Sequence, residues 1–206
     1  MNIYPLSVES STIMIRGNDG EFTPLTVESC PIESARMLGD EHIIKMPIEA
    51  LQTVCTALYE RRCPEHLMPF TKGGTRYRAS HKHHPVVKWC GETYGNMKWT
   101  LEWMVAMLEE YTHRYGKVHA VEDSVSNWVK SGDFNKALHY MNIADRDAWV
   151  MTPFAQAMPE TYQTPSRSIV DVVHAYRRYY ASKTFKNGKR PSYKHTTPPE
   201  WFMEVA

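Results

Sequence analysis

The sequence predicts a mainly α-helical protein: a single-domain helical bundle over residues 1–206 with a small β-hairpin near its N-terminus. Apolar residues recur at spacings of three and four near residues 32–60, 85–115 and 168–182, which is the period of a helix with one buried face. A chain of 206 residues also has the length of one domain. These observations favour three principal helices that pack around a shared core.

Residues 11–27 are predicted to form the hairpin, as an insertion in the bundle. Two β-prone runs, at 13–15 and 22–27, flank Arg16-Gly17-Asn18-Asp19-Gly20, a segment with the residue types of a tight turn. At the other end, residues 184–206 are predicted to be an irregular basic tail, with Trp201 packed onto the body of the protein.

The first long helix is expected to begin after Ser29, which has a side chain suited to an N-cap, with Pro31 in its first turn. It should run to about Arg61. Pro47 lacks a backbone donor and is expected to kink this helix or divide it in two. The predicted buried stripe consists of Ile44, Ile48, Leu51, Cys55 and Leu58.

The second long helix is predicted to follow an aperiodic loop at 62–84 and to end just before Gly116. Trp99 and Trp103 lie four residues apart, and we expect them to pack in the core rather than to stack on a ligand. The predicted buried stripe of this helix consists of Val87, Cys90, Tyr94, Met97, Leu101, Val105, Leu108 and Tyr111.

The net charge of +1 conceals an uneven distribution of basic residues. The segments 61–90 and 174–195 each hold seven Lys or Arg residues, and the two together contain one acid, Glu65. Aromatic residues are interleaved with these charges, which favours a polyanion partner such as DNA, although two solvated loops remain the alternative. The expected phosphate contacts are Arg76, Arg78, His84, Lys88, Arg114, Lys117, Arg177, Arg178 and Lys183.

No run of eighteen apolar residues is present, so no membrane association is expected. The first residues do not have the pattern of a signal peptide, which favours a cytoplasmic protein. The cysteines form no CxxC pair and are expected to be reduced thiols: they are Cys30, Cys55, Cys63 and Cys90. The sequence leaves the oligomeric state open.

A polar stripe on the first long helix is the candidate catalytic feature. His42, Lys45 and Glu49 follow the spacing of one helix face, with Gln52 next along it. A rigid stripe that carries a base, an ammonium and an acid is suited to proton transfer. The alternative is a solvated face on which Lys45 and Glu49 form an ordinary ion pair.

Three segments resemble phage pyrimidine-dimer DNA glycosylases of the endonuclease V type. They are Asp40-Glu41-His42 followed seven residues later by Glu49, His84-Pro85 at the start of a long helix, and the aromatic, basic run at 176–180. The chain also resembles a group of uncharacterised phage proteins that carry the motifs DxHxxKM, HPxxxW, EYxxRYGKxH and YRxYY. This second resemblance is closer but implies no function.

The glycosylase resemblance implies a compact helical bundle that attacks the sugar of a flipped-out nucleotide with an α-amine. Glu49 would be the essential carboxylate, with His42 and Asp40 beside it, and Asn2 would carry the amine if Met1 is removed. Two positions depart from the family: Ile48 stands where the family has Arg, and Asn2 stands where it has a small residue. If a phage encodes the protein, it would act in the cytoplasm of the infected host cell.

Alternatives to this assignment remain open. Lys45 could be the amine nucleophile instead of the α-amine. His81, His83 and His84 could bind a metal with His113 or His119, although we expect neither a metal nor another cofactor. The protein could also be another base- or nucleotide-modifying enzyme, or a non-catalytic protein that binds nucleic acid or a host factor.

Overall fold

The helical class predicted from the sequence is confirmed by the computed structural model, which describes residues 3–16, 22–27, 29–142 and 145–204. Within these ranges, eight α-helices are connected by loops and short 3-10 turns. The helices are α1 (Pro31–Arg36), α2 (Asp40–Glu60), α3 (Pro85–Glu92), α4 (Tyr94–Tyr115), α5 (Glu122–Lys130), α6 (Asp133–Leu138), α7 (Ile169–Ala181) and α8 (Glu200–Met203).

The predicted N-terminal hairpin is present. Strand β1 (Ser11–Arg16) pairs antiparallel with β2 (Phe22–Val27), with Ser11 opposite Val27. The segment predicted as its turn, residues 17–20, lies outside the described residues. The backbone N–H of Cys30 donates to the carbonyl of Glu9 at 2.7 Å, which holds the base of the hairpin at the start of α1.

The core lies where α2 and α4 pack against each other and against α1 and α3. Trp99 and Trp103 of α4 are completely buried and stacked, with ring centroids 5.8 Å apart. The indole N–H of Trp99 donates to the carbonyl of Ser29 at 2.7 Å, so this buried polar group is satisfied. The packing role predicted for these two tryptophans is confirmed.

The first long helix is divided, but not at Pro47 as the sequence suggested. The break lies at residues 37–39, and Pro47 stands inside a continuous α2. Pro47 has no N–H to donate to the Ile43 carbonyl, and the next carbonyl, that of Ile44, accepts a hydrogen bond from His119 Nε2 at 3.0 Å. The break itself falls at Gly39, where a Cβ would lie 2.8 Å from the Pro191 side chain.

The buried face of α2 is rotated relative to the predicted stripe. Leu51, Cys55 and Leu58 are buried as expected, but Ile44 and Ile48 are 48% and 47% exposed. Their predicted places in the core are taken by Ile43, Met46, Pro47, Ala50 and Val54. Ala57 on this face is fully buried, and a Cβ at Gly91 of α3 would lie 3.3 Å from its side chain, so α2 and α3 pack closely at this point. Val105 of α4 is likewise exposed, at 40%.

The second long helix is also divided in two. Thr93 has an extended backbone between α3 and α4, and its hydroxyl accepts from the backbone N–H of Asn96 at 3.1 Å, which caps α4. The predicted C-terminus is confirmed: Gly116 adopts the left-handed conformation with φ of 62°, which a glycine reaches without strain.

The C-terminal region contains the predicted helix and a tail that is irregular over residues 184–199, as expected, but ends in a short helix. Helix α7 is capped by the Ser168 hydroxyl and buries all five residues expected from its pattern, namely Ile169, Val172, Val173, Tyr176 and Tyr180. The tail includes α8, in which Phe202 is buried and Trp201 packs against the body of the protein, as predicted. Residues 192–194 lie against the first turn of α2. The backbone N–H of Ser192 donates to the Glu41 carboxylate, and the backbone N–H of Lys194 donates to the Asp40 carboxylate.

All four cysteines are buried free thiols. Burial raises the pKa of Cys63 to about 11 and that of Cys90 to about 12, so these thiols are unreactive at neutral pH. Among the described residues, no helix is long and apolar enough to cross a membrane.

Gly95 should be among the positions least tolerant of a side chain. In Gly95→Ala the new Cβ would lie 2.4 Å from the Val150 carbonyl oxygen and 2.5 Å from that of Trp149. Because backbone atoms cannot move aside cheaply, the free energy of unfolding should fall by about 1–3 kcal/mol or more. Denaturant unfolding measures this loss. The control is Gly73→Ala, whose Cβ would meet nothing closer than 3.7 Å and should change stability by less than about 0.5 kcal/mol. Equal stability of the two variants would contradict the packing.

Candidate functional site

Five polar residues from three parts of the chain form what we term the Glu49 cluster: His42, Lys45 and Glu49 of α2, His84 before α3, and Lys183 after α7. Lys45 Nζ lies 2.8 Å from Glu49 Oε1. The charge of Glu49 acts on both His42 and His84, and Lys183 acts on His42. The cluster therefore includes one residue from each of the two basic segments.

His42 is a buried, neutral imidazole, with 5% of its surface exposed. The hydroxyl oxygen of Tyr180 accepts from the backbone N–H of Gly39 at 2.9 Å, and this hydroxyl lies 2.8 Å from His42 Nδ1. These two contacts tie the Tyr180 hydroxyl to the first turn of α2 and hold the imidazole in place. Burial, with the charge of Lys183 adding to it, lowers the pKa of His42 to about 4.

Lys183 is held as a cation between two tyrosines. Its ammonium donates to the Tyr179 hydroxyl at 3.2 Å and lies 4.6 Å from the centre of that ring and 5.6 Å from that of Tyr4. Burial opposes the charge, but the interactions with Tyr4 and Tyr179 outweigh it and raise the pKa of Lys183. Tyr4 also packs edge-on against His42, with centroids 5.2 Å apart. A fixed positive charge therefore faces the neutral imidazole.

His84 joins the cluster through the loop that precedes α3. Its Nδ1 accepts from the backbone N–H of Val86 at 3.3 Å and so caps the helix. Burial lowers the pKa of His84, the charge of His81 lowers it further, and Glu49 opposes both. The loop is fastened along α2, because Gln52 donates to the Arg78 carbonyl at 2.6 Å and Ser80 N–H donates to Thr56 at 3.1 Å.

Asp40 does not lie beside Glu49, contrary to the expectation from the resemblance. Nine positions make about two and a half turns, which puts the two carboxylates on opposite sides of α2. Asp40 is buried and pairs with Arg114, with Oδ1 and Nη1 3.2 Å apart. Asp40 is therefore a structural residue. Asn2 lies outside the described residues.

Arg114 is removed from the expected phosphate contacts, because its side chain has no exposed surface. Its guanidinium donates to Glu110 at 2.7 Å, to the Leu38 carbonyl at 2.7 Å and to the Arg36 carbonyl at 2.9 Å, besides Asp40. A cation with these partners is committed to the fold.

The expected phosphate contacts other than Arg114 and the two residues of the Glu49 cluster fall into two groups. Arg177 is half-buried and donates to the Leu6 carbonyl at 2.7 Å, and Arg76 lies 4.1 Å above the ring of Phe70. Both guanidinium groups thus have structural contacts. The side chains exposed to solvent are those of Arg78, Lys88, Lys117 and Arg178.

The alternative metal site finds no geometric support within the described part of the chain, where no group of three His, Cys, Asp or Glu side chains is placed to hold an ion. His119 is buried, and its two ring nitrogens contact the Ile44 carbonyl and the Val121 N–H.

A cleft of about 770 Å³ was not predicted from the sequence. Its walls are the loop at 68–76 and helix α5, and the rest of its lining comes from Tyr111, residues 118–120, Ser131 and Asp133. The combination of Phe70, Lys72 and Arg76 was the available signal, but these residues did not indicate which distant segment would face them.

Comparisons of the chain with protein-family models, curated proteins and solved structures find no match. The site is therefore interpreted from its own geometry.

The depressed pKa of His42 should make the protein less stable in acid. His42 takes up a proton near pH 6.5 in the unfolded chain but only near pH 4 in the folded one, so stability falls as the pH drops through this window. The loss should reach about 3 kcal/mol by pH 4. Denaturant unfolding at several pH values should show a flatter profile for His42→Gln than for the exposed control His174→Gln. Parallel profiles would contradict the burial of a neutral imidazole.

Proposed function

We propose that this protein is a nucleic-acid-acting enzyme, similar in chemistry to a DNA glycosylase with lyase activity, and that the Glu49 cluster is its active site. The observation that carries the proposal is the ion pair of a partly buried Glu49 with Lys45, close enough to His42 and His84 for the charge of Glu49 to act on both imidazoles. Burial keeps His42 neutral, while Lys183 stays charged. Titratable groups pushed toward different protonation states are typical of catalytic sites.

The proposed reaction begins when an amine nitrogen bonds to C1′ of the sugar as the glycosidic bond breaks and the base departs. Glu49 stabilises the positive charge that develops on the sugar, since a nearby carboxylate favours a cation in a partly desolvated site. The departing base takes up one proton from the attacking amine. When the sugar ring opens, the second amine proton passes to the ring oxygen, and an imine forms between the amine and C1′. His42, a neutral imidazole, is the group proposed to assist these proton transfers.

Two amines are candidates for the nucleophile. An α-amine titrates near 7.7–8.0, whereas an ordinary lysine titrates near 10.4, so the α-amine has the larger neutral fraction at physiological pH. Lys45 is the alternative and contacts Glu49 directly. Tyr4, two positions after Asn2, packs against His42, so the first described residues run beside the cluster. Lys183 does not fit this role, because its raised pKa keeps it protonated.

A nucleic-acid substrate fits the charges around the cluster. His84 and Lys183 belong to the first and second basic segments, and exposed Arg78, Lys88 and Arg178 extend both segments over the surface. Such side chains bind phosphates without reading sequence. We infer that DNA is the polyanion because the proposed reaction acts on its sugar.

A non-catalytic binding protein is the second candidate, and one observation favours it. Ile44 and Ile48 are about half exposed on α2, immediately beside Lys45 and Glu49. Exposed apolar side chains with charged neighbours are suited to contact with another macromolecule. In this case the polar residues of α2 would be the rim of an interface, with no reaction at Glu49.

Glu49→Gln should abolish turnover while nucleic-acid binding and thermal melting stay close to those of the parent protein. The amide keeps the shape of the side chain but neither carries charge nor exchanges a proton. The paired variant Lys45→Met separates the two amines, because it removes one of them. Borohydride reduction of the imine during incubation with DNA that contains damaged or abasic sites should leave a covalent adduct.

Adduct formation by Lys45→Met would identify the α-amine, and its loss with normal melting would identify Lys45. A Glu49→Gln protein with full activity would contradict the role assigned to Glu49. The absence of any adduct or cleavage with parent protein that binds DNA would favour the non-catalytic candidate.

Binding to nucleic acid should weaken steeply with salt, because phosphate contacts release counterions. Lys88→Ala and Arg178→Ala should each reduce the slope of log affinity against log salt concentration by about one unit per lost contact. Lys130→Ala, exposed on α5 and outside both basic segments, is the matched control. Fluorescence anisotropy of a labelled duplex measures the slopes. Affinity that does not depend on salt would eliminate a nucleic-acid partner.

A further inference from the structure

The cleft between the loop at 68–76 and helix α5 is separate from the Glu49 cluster and has the size of a small-molecule site. Its volume of about 770 Å³ falls within the range of about 300–1,000 Å³ that is usual for ligand pockets. None of the residues of the Glu49 cluster lines it. The cleft therefore does not belong to the site proposed at Glu49.

One wall of the cleft is basic and aromatic. The guanidinium of Arg76 lies over the ring of Phe70 at 4.1 Å, and it donates to the Met68 carbonyl, which holds it in this position. Phe70 is 51% exposed, an unusual fraction for a large aromatic ring. Lys72 is exposed beside them and forms no ion pair with any described residue.

The opposite wall is polar and belongs to α5. Asp123 and Asn127 are four residues apart and so lie on one face of the helix, and both side chains are exposed. Within the described part of the chain, Asp123 makes no ion pair. The other acid of the cleft, Asp133, is paired with Lys136 at 3.2 Å.

The floor between the walls is apolar. Trp128 is buried, and its indole N–H donates to the Leu67 carbonyl at 2.6 Å, so it offers only ring carbons to the cleft. Tyr111 packs against the His119 ring with centroids 4.8 Å apart. A flat ligand with polar edges is suited to a space with aromatic surfaces and charged rims.

We propose that this cleft binds a nucleoside monophosphate unit, with guanine as the preferred base. The base stacks on the Arg76–Phe70 pair, as bases do on aromatic rings and guanidinium planes. The phosphate lies at Lys72. The Asp123 carboxylate accepts from two adjacent N–H donors on the edge of the base.

Asp123 is the reason for the preference among bases. A carboxylate offers two acceptor oxygens side by side, and guanine presents N–H groups on N1 and N2 that match them. In adenine an acceptor nitrogen lies beside the amino group. That nitrogen would face a carboxylate oxygen, and the repulsion between two acceptors would weaken binding. A base edge matched by two hydrogen bonds is discriminated from a wrong one by about tenfold or more.

Isothermal titration calorimetry with GMP, AMP and guanosine tests the proposal on the full chain. The parent protein should bind GMP about tenfold more tightly than AMP or better. Asp123→Asn should remove this preference, and Lys72→Ala should reduce GMP affinity to that of guanosine. Both side chains are exposed, so folding should be retained. The control is Glu122→Gln, which changes the neighbouring acid on α5 outside the cleft and should leave GMP binding unaltered.

No GMP binding at about 1 mM, or an unaltered GMP preference in Asp123→Asn, would overturn the proposal. Single-stranded oligonucleotides with one guanine or one adenine among thymines distinguish the two sources of the ligand. If the guanine oligonucleotide binds more tightly than both the adenine oligonucleotide and GMP, the ligand is a base within a strand. If only the mononucleotides show a guanine preference, the ligand is a free nucleotide.

The inference does not depend on the reaction proposed at the Glu49 cluster. Glu49→Gln should bind GMP as the parent protein does, whether or not Glu49 is catalytic.

Discussion

The guanidinium of Arg114 has no contact with solvent, yet it determines how the two longest helices meet. A buried charge costs several kcal/mol unless each of its donors is bonded. In this protein the partners are Glu110 on the same helix, Asp40 at the start of α2, the Arg36 carbonyl at the end of α1 and the Leu38 carbonyl in the break that follows. The break is therefore required for these contacts with Arg114, because a continuous helix would keep the two carbonyls in its own hydrogen bonds.

The same break is connected to the candidate active site through one hydroxyl group. Gly39 N–H donates to Tyr180, and the Tyr180 hydroxyl contacts His42 Nδ1. The position of a candidate catalytic imidazole thus depends on where α2 begins, next to the Leu38 carbonyl that Arg114 bonds. Burial makes His42 a poor base, and the tyrosines beside Lys183 make that lysine a persistent cation. Arg114 and His42 are thus connected through the backbone at residues 38 and 39 and the Tyr180 hydroxyl.

The sequence predicted the helical class, the hairpin strands and α7, because these depend on local periodicity and turn chemistry. It failed at Ile44 and Ile48, because periodicity records where large apolar residues recur but not which face the neighbouring helices cover. The break between α3 and α4 at Thr93 was not predicted, because one extended residue hardly changes the spacing of apolar residues. The pairing of Arg114 with Asp40 spans 74 positions, and no local rule indicates such a contact.

The candidate site was predicted only in part, for a related reason. His42, Lys45 and Glu49 share one helix, so their proximity followed from helical geometry. His84 and Lys183 were recognised only as members of basic segments, since their approach to α2 depends on tertiary packing. The cleft beside α5 has walls from distant parts of the chain, and its existence depends entirely on how those parts fold together.

The docking of residues 192–194 onto the first turn of α2 has a consequence for how the chain folds. Ser192 and Lys194 contact Glu41 and Asp40 across 151 and 154 positions. Closing a loop of that length costs on the order of 4 kcal/mol in chain entropy. During synthesis at about 5–20 residues per second, Asp40 precedes its last partners by roughly 10–30 s. Asp40 can pair with Arg114 before residues 192–194 are synthesised, so the contacts of those residues complete the burial of the first turn of α2 late in folding.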